Sequence, residues 1–139
     1  MLIDGPAKAD AELSETIVRG LGGVPRWMTA EAHDRIMAYV SHLPQLLATM
    51  LMNVATEAVG IDGLTAAGPG FTEMMRLASS PADVWEGILT ENADYMEEAV
   101  RRFADALPGG TELQSVDWIR QAFVQAGRSR TQWRSKDAR

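Results

Sequence analysis

Three side chains have types and spacing that could bind or orient a substrate, namely His42, Glu73 and Arg76. His42 lies two residues before Pro44, in a stretch that otherwise reads as a helix. Proline cannot donate a hydrogen bond to the carbonyl four positions earlier, here that of Val40, and it kinks a helix at a cost of ~3 kcal/mol. A backbone defect beside a titratable group suggests a binding site, although a tolerated kink is commoner.

Arg76 follows a Gly-rich loop and lies among apolar residues of a short predicted helix. The loop would let a substrate approach, Arg76 would bind a carboxylate through two parallel hydrogen bonds, and Glu73 would hold the guanidinium in place. The alternative is an ordinary pair, one helical turn apart, on a solvated face. From the residues alone, Trp85 is interpreted as a core side chain and His33 as structural or exposed.

No complete catalytic set can be assembled from the sequence. It contains no Ser-His-Asp spacing, no HExxH motif and no phosphate-binding loop. Gly20, Gly22 and Gly23 lead into the run VPRWM and not into a helix, so the dinucleotide-binding fingerprint is missing. The absence of Cys excludes thiolate chemistry, and two His residues make a zinc site unexpected. We therefore expect no complete enzyme, and no metal or cofactor site in this chain.

Length and composition are those of one globular domain. The chain has 139 residues, of which 46% are hydrophobic and 23% charged, so neither disorder nor a membrane protein is predicted. The N-terminus lacks a basic start and an apolar signal core, and we expect a cytoplasmic protein. Residues 1–127 carry a net charge of -10, while residues 128–139 carry +4. Nucleic-acid binding is not expected of so acidic a body, and the basic tail is predicted to be disordered.

The pattern of the chain predicts an all-α fold with a long central helix. Thr29 can cap a helix, and apart from Pro44 no breaker occurs before Gly60, so a helix of about 30 residues and roughly 45 Å is expected. The other predicted elements are a helix over residues 10–21, an edge strand or connector at 24–28, a loop over 60–70, and shorter helices over 71–79, from Ser80 to 107 and from Thr111 to near Gly127.

The long helix has two faces. A broad apolar stripe runs along it, formed by Ile36, Val40, Leu43, Leu47, Met50, Val54 and Ala58. A polar seam made of Arg35, His42, Thr49 and Asn53 lies about 120° away, and it either faces solvent or lines a site. Because the apolar stripe is broader than a small domain can cover, we predict a homodimer.

A set of short segments occurs in a recognisable order. They are Met28 to Arg35, Ser41-His42-Leu43-Pro44, Gly68 to Phe71 and Arg76 to Pro81, followed by Trp85 and Asn92. Together they resemble the C-terminal domain of prephenate dehydrogenases over about residues 24–107. Each piece alone is weak, and the set is specific.

The resemblance implies a fold, a reaction and roles for residues. In that family a Rossmann domain binds the nicotinamide cofactor, and a helical C-terminal domain forms an intertwined dimer and closes the site for prephenate, a dicarboxylate. The reaction is oxidative decarboxylation to 4-hydroxyphenylpyruvate in tyrosine biosynthesis. Carried over, His42 would line the substrate pocket, Arg76 would bind a carboxylate, Glu73 would stand where an Asp is usual near that Arg, and Trp85 would lie near the rim.

The resemblance also implies a division of the chain and leaves alternatives open. Residues 1–28 resemble the last helix and strand before the domain junction, and residues 29–127 form the helical domain. The family's catalytic His and Ser belong to the Rossmann half, so NAD or NADP is expected only with such a domain, fused or separate. Gln45 stands where a second His is frequent, and GPGF replaces GGGF.

Three readings of the chain follow from this incomplete match. It is an excised domain, a stand-alone subunit or a relic kept for binding. The competing function is a non-catalytic helical dimer that binds an aromatic carboxylate or a protein, and a third is a purely structural module.

Overall fold

The computed structural model describes residues 2–3 and 8–137, and these are almost entirely helical. Residues 1, 4–7, 138 and 139 lie outside this description, so parts of the predicted junction and basic tail do as well. The elements are β1 (Leu2–Ile3), α1 (Lys8–Gly20), β2 (Trp27–Met28), α2 (Ala30–Met37), a π-helix (Ala38–His42), α3 (Leu43–Leu64), α4 (Pro69–Met75), a first 3₁₀ helix (Arg76–Ser79), α5 (Ala82–Glu91), α6 (Ala93–Asp105), a second 3₁₀ helix (Glu112–Gln114) and α7 (Val116–Asp137). The predicted all-α fold class is confirmed.

The N-terminal elements agree with the sequence pattern. The predicted first helix is α1, and the run predicted as strand or connector contains β2, which pairs in parallel with β1. The indole Nε1 of Trp27 in β2 donates to Glu15 Oε1 in α1 at 2.8 Å. This hydrogen bond ties the strand to the helix.

The long predicted helix is present, but its hydrogen bonding changes around Pro44. Thr29 caps α2 as predicted, since its Oγ1 accepts a hydrogen bond from the Ala32 amide at 3.1 Å. The five residues Ala38–His42 then form a π-helix, which ends where the Leu43 amide donates to the Ala38 carbonyl, five residues earlier. The backbone defect expected from Pro44 is therefore an inserted π turn, and His42 is its last residue.

Gly60 breaks α3 where the sequence predicted the end of the helix. Its φ of 68° and ψ of 172° are not helical, and this positive φ is open to Gly because it carries no Cβ. The loop predicted over residues 60–70 is shorter than expected, because helical turns resume at 61–64 and α4 begins at Pro69.

Two predicted helix boundaries between Ser80 and residue 107 are wrong. The helix start predicted at Ser80 lies one residue too early, because Pro81 is the N-cap residue of α5 and Ser80 Oγ donates to Gln45 Oε1 at 3.2 Å. The single helix predicted to run to residue 107 is interrupted at Asn92, which has a φ of -104° and a ψ of 24°. A tertiary hydrogen bond takes the Ser80 hydroxyl away from the helix end.

The chain divides into two compact units, one ending at Arg101 and one beginning at Arg102. In the second unit, the helix predicted to begin at Thr111 starts with only a short 3₁₀ helix, and Ser115 Oγ accepts from the Trp118 amide at 3.3 Å at the start of α7. The helix end predicted near Gly127 is wrong, since α7 continues to Asp137.

The disordered tail predicted for residues 128–139 is corrected to helix over 128–137. A Gly inside a helix costs about 1 kcal/mol relative to Ala, and no Pro follows it to stop the helix. Basic side chains in the last turn, Arg134 and Lys136, favour the negative end of the helix dipole.

The core of the first unit is small and lies where the π-helix and the start of α3 meet α6. Its buried members are Ala38, Leu43, Met96 and Ala99. Much of the predicted apolar stripe lies outside this core and is exposed, including Val40 and Val54 at 66% and 61%. None of the described helices is long and apolar enough to cross a lipid bilayer.

Candidate functional site

His42 is buried at the end of the π-helix, with 9% of its surface exposed. Its ring meets the ring of Trp85 edge to face, with centroids 6.1 Å apart and planes at 80°. His42, in the middle of the polar seam predicted from the sequence, is therefore covered by other residues of the same chain and not by solvent. The π turn places the ring of His42 against α5, the helix that carries Trp85. The indole limits the tilt of the imidazole.

Asn92, the residue that separates α5 from α6, holds the other side of His42. Its amide Nδ2 donates to the main-chain carbonyl of Asp34 at 2.9 Å and lies 3.1 Å from His42 Nδ1. Only 8% of the Asn92 surface is exposed. Because buried polar groups without partners are costly, these two contacts fix the amide and tie α2, the π-helix and α5 together.

Burial and a neighbouring His lower the pKa of His42 below its ordinary value. Desolvation of the imidazolium is the main cause, the charge of His33 adds to it, and Asp34 opposes it. These three residues also line a cavity of about 220 Å³ together with Glu91 and Asn92. The lowered pKa favours the neutral ring near neutral pH, and His42 lies in a recess lined mostly by polar residues.

Gln45, one turn after His42, makes a second buried polar anchor. Its Nε2 donates to the carbonyl of Leu77 at 2.8 Å, and its Oε1 accepts from Ser80 Oγ at 3.2 Å. Both partners belong to the first 3₁₀ helix or follow it directly. Gln45 therefore holds the short segment that begins with Arg76 against α3.

A second cavity, of about 240 Å³, lies between α3, the first 3₁₀ helix and α5. Its walls include Gln45, Leu46, Ala78, Trp85 and Leu89. Trp85 lines this cavity, and its indole also contacts the ring of His42, which lines the recess. A ring-shaped apolar group fits a space walled in this way.

The structure brings together only part of the predicted site. His42 and Trp85 are in contact, whereas Arg76 and Glu73 are exposed and line neither cavity. Within residues 2–3 and 8–137, no hydrogen bond or ion pair joins Arg76 to Glu73. In the same part of the chain, no three His, Asp or Glu side chains are grouped so that they could hold a metal ion.

Sequence reasoning missed the roles of Gln45 and Asn92. The sequence alone marks Gln45 as a departure from a family pattern, and Asn92 as one member of a matching set. Amides give no titration or charge signal in a sequence, and their partners are 32 to 58 residues away. The only available signal was their position, Gln45 directly after Pro44 and Asn92 inside a predicted helix.

Comparison with known proteins places this geometry in a family. Residues 29–116 match the family model described as "Prephenate dehydrogenase, dimerization domain". The chain is 28% identical over 131 residues to a cyclohexadienyl dehydrogenase of Zymomonas mobilis, covering 90% of this chain and 44% of that protein. It is 30% identical over 90 residues to a prephenate dehydrogenase of Bacillus subtilis, covering 63% of this chain and 24% of that one.

A solved structure gives the same result. The prephenate dehydrogenase from Aquifex aeolicus, in complex with hydroxyphenyl propionate and NAD⁺, matches 96% of this chain and 47% of its own, with a TM-score of 0.73 and 26% identity. The chain therefore spans less than half the length of the relatives it matches. It belongs to the prephenate dehydrogenase family, and the part it contains is the family's helical dimerization domain.

Proposed function

We propose that this chain supplies one wall of the substrate site, and the subunit interface, of a prephenate or arogenate dehydrogenase. The observation that carries the proposal is the cavity of about 240 Å³ walled by Trp85 and by the segment that begins with Arg76. An apolar wall with an indole suits a six-membered ring, and a guanidinium suits a carboxylate. Hydroxyphenyl propionate, found in the Aquifex relative, combines such a ring with a carboxylate.

Arg76 is the proposed carboxylate ligand, and Gln45 is the residue that orients it. The exposed guanidinium is free to form two parallel hydrogen bonds to a carboxylate. The two hydrogen bonds of Gln45 hold the segment that carries it. Glu73, also exposed and one turn earlier, would restrain the guanidinium when a ligand is present.

His42 and Trp85 are proposed as the second part of the wall. Trp85 would pack against the ring of the substrate, and His42 would contribute a neutral hydrogen-bonding group behind it. The recess around His42 also contains the carboxylates of Asp34 and Glu91, which disfavour a second anion there. The carboxylate is therefore assigned to Arg76 and not to His42.

Hydride transfer is proposed to need a nicotinamide-binding domain outside these 139 residues, and that domain would bind NAD or NADP. The described part of the chain has a sheet of only two short strands. It does not contain the motif of a strand, a Gly-rich turn and a helix N-terminus that binds a pyrophosphate. We expect the pure chain to show no hydride transfer from prephenate. If a Rossmann domain from a relative also fails to restore it while ligand binding persists, the chain is the non-catalytic binding dimer.

Dimerization is proposed through the exposed apolar face of α3. Met50, Leu51 and Val54 lie within about 100° of one another on this helix, and they are 46%, 39% and 61% exposed. Contiguous apolar surface of this kind is characteristic of an interface, and the family's domain is described by its dimerization. The proposed partner is a second copy of this chain.

Calorimetric titration with prephenate and with hydroxyphenyl propionate tests the substrate wall. Arg76→Ala should weaken binding by about 1.5 to 3 kcal/mol, the usual worth of a charged hydrogen bond, with little change in the thermal midpoint. Arg76→Lys should also weaken it, because an ammonium cannot reproduce the planar fork.

Arg128→Ala serves as the matched control, since Arg128 is an exposed Arg in α7. It should leave the affinity unchanged. Unaltered binding in Arg76→Ala would identify Arg76 as part of a solvated helix face and would remove the basis of the proposal.

A further inference from the structure

The hydrogen bonds of Asn92 determine which way its amide points. The carbonyl of Asp34 can only accept a hydrogen bond, so the Asn92 atom 2.9 Å from it must be the NH₂ group. The same nitrogen lies 3.1 Å from His42 Nδ1. An amide NH₂ has two hydrogens, and the first is directed to the carbonyl, so the second is the one available to His42.

The orientation of Asn92 in turn determines where His42 carries its proton. Nδ1 faces a donor and must therefore accept, which places the ring proton on Nε2. The opposite tautomer would set the Nδ1 hydrogen against the hydrogens of the amide and would leave a buried donor without a partner. Protonation of both nitrogens would create the same conflict.

We propose that Asn92 is a positioning residue that holds His42 as the neutral Nε2–H tautomer, so that His42 meets the substrate as a hydrogen-bond donor. Its role in substrate binding rests on the proposed function, whereas the tautomer itself does not. A carbonyl or hydroxyl oxygen of the ligand is the acceptor that this tautomer recognises, and a group that can only donate would be rejected.

Other polar groups near His42 do not supply an equivalent restraint. On α2, His33 Nδ1 pairs with Asp34 Oδ1 at 2.9 Å, and on α5 Glu91 is exposed at the rim of the recess. Trp85 meets the ring at an angle of 80° and fixes its plane, which leaves the choice of nitrogen to Asn92.

Long-range ¹H–¹⁵N correlation spectra of the full chain test the inference directly. The chain has two His residues, so His33→Gln leaves the signals of His42 alone. At neutral pH we expect Nε2 to be protonated and Nδ1 to be unprotonated. In Asn92→Asp the carboxylate would accept from Nδ1, so the tautomer should invert, and in Asn92→Ala both tautomers should appear. A wild-type ring with its proton on Nδ1, or an unchanged Nε2–H tautomer in Asn92→Ala, would overturn the proposal.

The ligand-binding arm separates this inference from the proposed function. Inverting the tautomer should weaken the binding of hydroxyphenyl propionate by about tenfold, which corresponds to about 1.4 kcal/mol of binding free energy. If Asn92→Asp does not fold, the wild-type spectrum still decides the tautomer. A correct tautomer without any ligand binding would leave the positioning by Asn92 intact and would instead count against the proposed function. A merely structural role for Asn92 would change the thermal midpoint and not the tautomer.

Discussion

The two halves of α3 show opposite relations between polarity and burial. In its first two turns the polar Gln45 is buried, with 5% of its surface exposed and both ends of its amide bonded. Beyond them the apolar Met50, Val54 and Val59 are 46%, 61% and 57% exposed. The first half is completed by other elements of the same chain. The second half carries apolar surface that its own unit leaves uncovered.

This difference indicates two tasks for one helix. Buried polar groups hold geometry but add little net stability, which is the property of a site that must be positioned. Exposure of apolar groups to water is unfavourable, and burying them against a partner lowers the free energy, which is the property of an interface. The predictions below act on the second half of α3, then on its first half, and then on His42, the residue directly before it.

Val54→Asp should have the largest effect, because it places a charge on the exposed apolar half. We predict that the wild-type chain sediments as a homodimer at micromolar concentration. An unpaired buried charge costs about 3 to 5 kcal/mol, so the variant should dissociate with a dissociation constant more than a hundredfold higher. Analytical ultracentrifugation over a dilution series measures both constants.

The control for the interface is Asn53→Asp, which adds the same charge to an exposed residue about 100° round the same helix from Val54. It should leave the dimer unchanged. A monomeric wild-type chain, or a dimer indifferent to Val54→Asp, would show that the apolar half of α3 is not the interface.

Gln45→Ala should have the next largest effect, and it should act on stability. It leaves the Leu77 carbonyl and the Ser80 hydroxyl without their partner, at a cost of about 1 to 3 kcal/mol. Chemical denaturation at fixed protein concentration measures the loss. Gln125→Ala, at an exposed position of α7, is the matched control and should stay within about 0.5 kcal/mol. Equal stabilities of the two variants would mean that the buried amide is not an anchor.

Local signals in the sequence predicted most helices and several of their ends. Three of these signals act on neighbouring backbone, so their effects can be predicted from the sequence. They are the hydroxyl of Thr29, the missing amide hydrogen of Pro44 and the conformational freedom of Gly60. The interruption at Asn92 and the start of α5 after Pro81 were not readable. They depend on Asp34, His42 and Gln45, which are remote in sequence. The continuation of α7 past Gly127 shows a local penalty too small to end a helix.

The sequence predicts residue types for a candidate site, and spacing along the chain does not give their geometry. His42 and Trp85 were singled out separately, and their ring contact follows from packing that spacing cannot specify. Arg76 and Glu73 were expected to pair because they are one turn apart, yet both side chains point into solvent. The apolar stripe was expected to seek partners on several sides, which agrees with the exposure of Val40 and Val54.

The smallest expected effect is a pH dependence of stability caused by His42. Its pKa in the folded chain lies below the ordinary value of 6.5, mainly because burial disfavours the imidazolium. Its contribution to stability is therefore complete above about pH 6.5 and is lost as the pH falls towards the folded pKa, since only the unfolded chain then binds the proton. Unfolding free energies from urea titrations between about pH 5 and 8, at one protein concentration, measure this slope. His42→Gln should remove part of the slope, whereas His33→Gln, a change at the partly exposed His, should retain most of it. A slope that both variants share with the wild type would assign the pH dependence to carboxylates, and the burial of His42 would then contribute nothing to it.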